Sequence, residues 1–591
     1  MKSVSTAYKN SMKKLLRNPS HVEIEFKNVD TTVPEDGEWG SNGVISWSDF
    51  DTLDYSFDYS AAAYATLELN RWIGDGSMDI APISGLTPQG YCSSNLSDND
   101  GSFAAAPMLE RPFNQNHTFP GVTLTFDTRC KEWPRAITVR FYKNGSVADT
   151  KTVTGIDRLT VEVPTSVMDI DGISITFDEI LPYHRARMEQ VLYGVIRNFE
   201  DVDIISVQQK HDVDPLTRRL PKETFSFTIH DLDLRYDPDN PQGIYAYIDV
   251  RSPITIRHGY ELDDGNVEWI KPDRYVLNGK PQVKNYQATF TGTGMIGSLS
   301  KTYYKGTFGN KSFYDMAEDV LRDAGLTLTE QGTNPWEIDP ALKSMYCSNP
   351  LPIDTHMNCL QLIAHACCCR LYTDDDNIIH IRPFSITEGA CETDFVLDFS
   401  TISEKTQQTS KTDELREIDV SLYRYTPDSQ ATKLFEGSTT ETIFHIELRQ
   451  PATDIAVSVS GGTLVSYKAY AQAVDMVLSS GTKTITITGI KQTETEDVAT
   501  YKVNQNGEVD KEQNPLISNE TMRLALANHF ISYLGYRSTY DAEYRGNPEL
   551  ETGDIIKTQT NYTNEMNALI LVDELKYNGT LSGKLKVKGL I

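Results

Sequence analysis

No run of about 18 apolar residues occurs in the 591-residue chain, so no segment is built to cross a bilayer as a helix. The opening segment MKSVSTAYKNSMKKLLRNPS is basic but lacks the apolar centre of a secretory leader. Cysteine is scarce. Eight residues, four of them between Cys359 and Cys369, are too few and too clustered for a disulfide framework, which points to synthesis in a reducing compartment. Positive charge is short as well: 55 Lys and Arg against 83 Asp and Glu leave a net charge of −28. Clamping of nucleic acid needs clustered cations that release counterions, so that class is excluded. H-E-x-x-H, G-x-S-x-G and P-loop signatures are all missing. The expectation is a protein that is not an enzyme and carries no cofactor and no metal.

What is present reads as strand. Thirty tyrosines, 26 prolines and an aromatic content of 10% suit a folded, strand-rich chain. AITVRFYKNGSVADTKTV predicts a hairpin turning at Asn144-Gly145 in a type I′ turn. RLTVEVP, GISITFDE, ETFSFTIHDLD, SPITIRHGYEL, TKTITITGI and LSGKLKVKGLI continue in the same style. Helical spacing is confined to a few segments. KSFYDMAEDVLRDAG starts at a Ser312 cap and stops at Gly325, DTHMNCLQLIAHACCCRL begins at Asp354 or Thr355, and NETMRLALANHFISYLGY places Met522, Leu526, His529, Phe530 and Tyr533 on one stripe. A short N-terminal helix with Tyr8, Met12, Leu15 and Leu16 near one face leaves Lys9, Lys13, Lys14 and Arg17 as a solvated basic face. No strand–helix–strand rhythm runs through the chain, so a doubly wound sheet is not expected. The fold class is mainly β and multidomain.

Cys367, Cys368 and Cys369 resemble a metal or redox centre at first sight. Adjacent helical residues point about 100° apart, so three in a row cannot converge on one ion. His365 and Cys369 lie at i and i+4 but form one pair without a second. The cysteines are therefore read as small side chains that let a helix approach a sheet. His211 in HDVDP has no later histidine partner, and Cys130 has no histidine near it. SDNDGS and YDPDNPQG do not match a calcium loop and are read as turns.

The block from VDIISVQQKHDVDPLTRRLP through HGYELDDGNVEW resembles tail proteins of phages and prophages of Gram-positive hosts. The likeness rests on Asp214-Pro215 with Leu220-Pro221, on Gly259, Leu262, Asp264 and Gly265, on YATLELNRWIGDGS (Tyr64 to Ser77), and on YRGNPELETGDII (Tyr544 to Ile556). It spans about two-thirds of the chain, and the shared order of these elements carries more weight than any one. The resemblance implies a baseplate hub, or tail-associated protein, at the virion tail tip, made in the host cytoplasm. It further implies a homotrimer whose two barrels per chain form a pseudo-sixfold ring around a channel through which DNA passes without specific binding. The neighbours it implies are the distal tail, tail tube and tape measure proteins, with a receptor-binding protein or fibre as a further one. An acidic channel wall is expected from the net charge.

The domains expected are a first barrel in two pieces, 1–77 and 186–305, an inserted β-sandwich (jelly roll) at 78–185, an α+β module at 306–395, and a second barrel at 396–591 containing a helix at 519–534. The insert looks like a galactose-binding-type jelly roll. That likeness makes Trp133, Arg135, Asn114, Asn116 and His117 candidates for a glycan site on its loops. Two alternatives to a purely structural hub are a host-glycan adhesin working through this insert and a cell-wall hydrolase.

Overall fold

The computed structural model describes the chain apart from residues 15, 30–32, 46–47, 49, 55–63, 66–67, 72–75, 77–78, 81–89, 129, 241–242, 246–247, 249–250, 327–333, 385–391, 403–406, 561, 563–564 and 591. The described residues are mainly strand, with four α-helices: α1 (Thr6–Met12), α2 (Phe313–Asp323), α3 (His356–Ala366) and α4 (Glu520–Leu534). None of them is long and apolar enough to cross a membrane.

The first curled sheet runs in the order Gly194–Phe199, Ser20–Val29, Pro253–Glu261, Asp273–Leu277, Gln287–Thr293, Lys222–His230, Ile204–Asp212. Its strands alternate as half-buried strands must: in Lys222–His230, Phe225, Phe227 and Ile229 point inward. Phe227 stacks on Phe290 at 4.7 Å. Phe199 and Val207, on strands at opposite ends of this order, belong to the same core, so the sheet curls. A second curled sheet runs Glu392–Leu397, Ile555–Thr558, Met566–Tyr577, Leu581–Gly589, Ser538–Tyr544, Gln408–Lys411, around Leu397, Tyr540, Ile556, Ile570 and Val587. The two are one sheet. Ile204–Asp212 pairs with Met566–Tyr577, Val207 opposite Tyr577 through Asp212 opposite Val572, giving fifteen strands.

The chain leaves the first sheet after Val29 and re-enters it at Gly194. Between these points lies a sandwich of a five-stranded sheet (Gly40–Ser41, Met108–His117, Ile170–Glu179, Ala136–Lys143, Ser146–Thr154) facing a three-stranded one (Thr160–Pro164, Gly121–Thr125, Gln190–Leu192). The Asn144-Gly145 turn is present, both residues with positive φ. Val33, Trp39 and Leu53, ahead of the expected boundary at 77/78, are buried in the sandwich core together with residues as far as Tyr193. These residues lie in short turns with no strand periodicity to reveal them. Within the Tyr64–Ser77 stretch, residues 66–67, 72–75 and 77 fall outside the described residues.

α2 and α3 pack beside a small sheet of Trp336–Ile338, Ile379–Pro383 and Cys369–Thr373. The Ser312 cap accepts from the Asp315 N–H, and Gly325 has φ +67°, as their residue types require. α4 joins this core through Leu526 and Phe530, together with Ile418, Val420 and Leu422 of Leu415–Pro427. The range expected as one barrel, 396–591, also holds a body outside the second curled sheet. Built around the first half of the 20-residue strand Lys483–Lys502, it has its own core of Val474, Met476, Ile485 and Ile487, while Leu415–Pro427 of the same sheet packs with α4. The polar half of that strand, QTETEDVATYK, gives no apolar alternation, which hid its length.

Candidate functional site

The junction between the two curled sheets gathers most of the residues that carried the family resemblance. α1 starts at Ser5, whose hydroxyl accepts from the Tyr8 N–H at 3.0 Å. Tyr8 and Met12 are buried against Tyr260 and Ile270 of the first sheet. From there the N-terminal segment reaches the second sheet. Tyr8 Oη donates to Asn547 Oδ1 at 2.8 Å, Lys2 N to the Glu549 carbonyl at 2.9 Å, and Arg17 Nη1 to the Gly546 carbonyl at 2.8 Å. Residues 544–556 are thus the seat of an N-terminal strap. Gly546 (φ +69°) and Gly553 (φ +93°) are required there: a Cβ at Gly553 would lie 1.9 Å from Arg370 Nη1. Of the basic face, Lys13 and Lys14 are exposed, Lys14 pairing with Asp263 at the surface, whereas Lys9 is half-buried against Glu549. Leu16 is exposed and Leu15 lies outside the described residues.

Beneath the strap is a buried polar layer. Lys2, 6% exposed, pairs with Asp273, and its ammonium lies 3.7 Å from Asp375. Gln209 Nε2 donates to Asp273 Oδ2 at 2.8 Å, and Gln209 Oε1 accepts from His258 Nε2 at 2.5 Å. Burial alone would raise the Asp273 carboxyl; the Lys2 ammonium, its largest opposing influence, holds it below its ordinary value. Burial pushes the His258 imidazole down to about 4, so it stays neutral. The Asp573 carboxyl, which accepts from Tyr544 Oη at 3.0 Å, is pushed up to about 8 by burial. His211, without a partner in the sequence pattern, has its Nε2 2.5 Å from the Tyr275 hydroxyl.

The Asp214–Pro221 segment ties three bodies together. Val213 N donates to the Leu571 carbonyl at 2.9 Å, and Thr217 Oγ1 to the Cys369 carbonyl at 2.7 Å. Gln361 Nε2 of α3 donates to the Arg218 carbonyl at 2.6 Å. The three cysteines form the end of α3: Cys367 caps it, Cys368 adopts φ +55°, and Cys369 opens the next strand. Cys367 and Cys369 are buried in the core. His365 does not join Cys369: its Nδ1 accepts from Asn514 Nδ2 at 3.0 Å and its Nε2 faces Glu512 at 3.0 Å. The two acidic loops close as turns, Asp100 Oδ1 accepting from Ser102 N and Asp237 Oδ1 from Asp239 N.

The five glycan candidates are not brought together. Ile170 pairs with His117 and Glu179 with Ala136, so Asn114, Asn116 and His117 lie at one end of Ile170–Glu179 and Trp133 and Arg135 at the other, about 30 Å away. Asn114 and His117 hold the Asp36 carboxylate, at 2.7 and 3.0 Å. Asn116 is exposed. Arg135 reaches Glu179 at 3.5 Å, and Trp133 packs half-buried on the sandwich core. Sequence reasoning missed what surrounds Trp133, where Glu132, His184, Arg185 and Arg187 line a cavity of about 20 Å³. Ligand atoms of Glu68, Glu132 and His184 there lie within 4.8 Å of one another. Arg187 already takes both Glu68 oxygens, at 2.6 and 2.7 Å, and Arg71 takes Glu132 and Asp127, so the charge a divalent cation would need is spent on guanidinium groups. Alternating Arg185 and Arg187 was the one legible sign of this cluster.

No protein-family model matches the chain, and no curated protein matches it. Solved structures do. A tail protein from Neisseria meningitidis MC58 is 9% identical, over 66% of this chain and 93% of that one, with a TM-score of 0.37. The 43 kDa tail protein of prophage MuSo2 from Shewanella oneidensis is 8% identical, over 66% and 95%, with a TM-score of 0.36. Prophage tail protein gp18 from Listeria monocytogenes EGD-e is 8% identical, over 66% and 91%, with a TM-score of 0.35. These neighbours are phage and prophage tail proteins, at identities and TM-scores too low to place the chain in a family.

Proposed function

We propose that the chain is a structural hub of a phage tail or tail-like particle, acting as a trimer that closes the distal end of the tail tube. One observation carries this reading: two curled sheets per chain are fused edge to edge into one fifteen-stranded sheet and locked by a strap and a linker, and the seat of the strap (544–556) and the linker (214–221) are stretches that resemble hub proteins. Three such pairs would give six barrels around a channel. The net charge of −28 suits an acidic wall along which DNA slides without being held. Distal tail, tube and tape measure proteins would be its neighbours, and its work would be mechanical. Mass photometry and electron microscopy of the purified protein test it. The expected result is threefold particles with a central channel at three times the 66.4 kDa chain mass. Monomers up to micromolar concentrations, with no binding to tail tubes, would count against it.

A second reading, attachment to host glycans through the sandwich, is favoured by Tyr183. It stands 46% exposed on left-handed backbone (φ +59°), between two residues, Leu181 and His184, that line the Trp133 cavity. A bulky residue held there costs about 1–3 kcal/mol, strain of the kind that collects at binding sites. The glycan end would then hold Trp133, Arg135 and Tyr183. On a glycan array, Trp133→Ala and Tyr183→Ala should each lose the signal while Asn116→Ala keeps it; loss with Asn116→Ala alone would place the site at the other end.

A further inference from the structure

A cleft of about 850 Å³ opens between the sandwich and the first curled sheet. One wall is the outer face of the three-stranded sheet, where strand register sets the side chains in two rows. Thr160, Thr125 and Gln190 lie side by side in one row, and Glu162, Thr123 and Leu192 in the next. With strands about 4.8 Å apart and rows about 7 Å apart, this is a platform roughly 10 Å by 7 Å. The other wall comes from the first sheet, where Glu25 lies opposite Asn198. Arg197 reaches across to Glu162 at 2.8 Å and ties the two walls together. The loop at 154–159 lines the cleft as well.

The chemistry of the lining narrows what the cleft can hold. Its charged groups are Glu25, Asp157 and Glu162 against Arg158 and Arg197, which leaves negative charge in excess and Arg197 already taken by Glu162. A phosphate or carboxylate is therefore repelled more than it is held. No aromatic ring lines the cleft among the described residues, so a nucleobase or aryl group has nothing to stack on. Hydrogen-bonding capacity, by contrast, is free. Among the described residues the Gln190 and Asn198 amides and the Thr125 and Thr160 hydroxyls make no hydrogen bond, and Arg197 Nε is buried without one. Amides and hydroxyls both donate and accept, which is what a ligand rich in hydroxyl groups needs.

The cleft adjoins the Trp133 end of the sandwich. Thr125 is followed two residues later by Asp127, which lines the Trp133 cavity. Ile156, in the cleft lining, donates its N–H to the Arg135 carbonyl at 3.2 Å.

We propose that the cleft is the extended part of a saccharide site: a neutral oligosaccharide held at Trp133 lays its following units along the Thr160–Thr125–Gln190 row, recognised through its hydroxyl groups and without stacking. This site rests on the glycan reading above and gives it a ligand that is uncharged and several units long.

Calorimetry of the full-length protein with chito-, cello-, malto- and galacto-oligosaccharides of two and six units tests the cleft. In the series that binds, the six-unit chain should bind about tenfold tighter than the two-unit chain, the gain expected from two or three added neutral hydrogen bonds. Gln190→Ala removes an amide, and Thr160→Trp fills the row from an exposed position. Each should bring the six-unit chain down toward the two-unit affinity and leave the two-unit chain unchanged; either variant suffices if the other fails to fold. Trp133→Ala should weaken both lengths. Equal affinity for two and six units would overturn the cleft and leave the glycan end standing, as would a length advantage that survives in the folded cleft variants. Tighter binding of hexagalacturonate than of any neutral chain would overturn it too. Absence of binding by every chain would remove the cleft and the glycan reading together.

Discussion

Lys2→Met is expected to destabilise the junction by about 3–5 kcal/mol, the usual cost of leaving one buried charge without its partner. Asp273 would remain beneath the strap, 6% exposed, facing Gln209 and two histidines and no ammonium. For a body of 150–250 residues that loss lowers the first thermal transition by roughly 10 °C. The control is Lys2→Met combined with Asp273→Asn. Removing both charges should recover most of the loss, because the penalty belongs to the lone anion and not to the missing lysine stem. A transition within about 2 °C of the parent in the single variant would show that the strap does not hold the junction.

Arg111→Met should act just as strongly, and elsewhere. Arg111 is 2% exposed in the sandwich, and its guanidinium holds the parts of the sandwich that the strand pattern did not reveal. Nη1 donates to both Asp54 oxygens at 2.6 and 2.7 Å and to the Tyr193 hydroxyl at 2.8 Å; Nε and Nη2 reach the carbonyls of Asp36, Pro34 and Gly37. Methionine fills much of the volume and satisfies none of these acceptors, so about 3–5 kcal/mol of sandwich stability should go. Because the sandwich has a core of its own, the rest of the chain should melt where it did, and limited proteolysis should release fragments from 33–193 first. Transitions that move together would mean that the insert is not an independent unit. Arg111→Lys should recover only part of the loss, since an ammonium cannot reproduce the planar fork.

Much of the local architecture was legible in the residues. Ser312 before Asp315, Gly325 after α2, and Asn144-Gly145 between two alternating runs each specify their geometry within a few neighbours. The alternation of Phe225, Phe227 and Ile229 likewise set which face of its strand is core. Helix geometry is not what keeps the three cysteines apart: α3 ends at Ala366, Cys368 turns on left-handed backbone and Cys369 lies on a strand.

The candidate site was legible only as a set of motifs in order. That residues 544–556 seat the N-terminus and that Lys2 is buried while Lys14 is not depend on partners as far as 547 positions away: Asn547 Oδ1 and Tyr8 Oη are 539 apart, Lys2 and the Glu549 carbonyl 547. No periodicity or turn chemistry encodes such a pairing.

The same reason separates Trp133 from His117, sixteen residues away in sequence and at opposite ends of the strand Ile170–Glu179. By itself the sequence determined the strands, the helix caps, the turns and the mainly β class, because these arise from sterics and hydrogen bonds between near neighbours. Only the tertiary structure decided where the sandwich begins, that two sheets become one, and which charges are buried, because burial and strand partnership are properties of the whole packed chain.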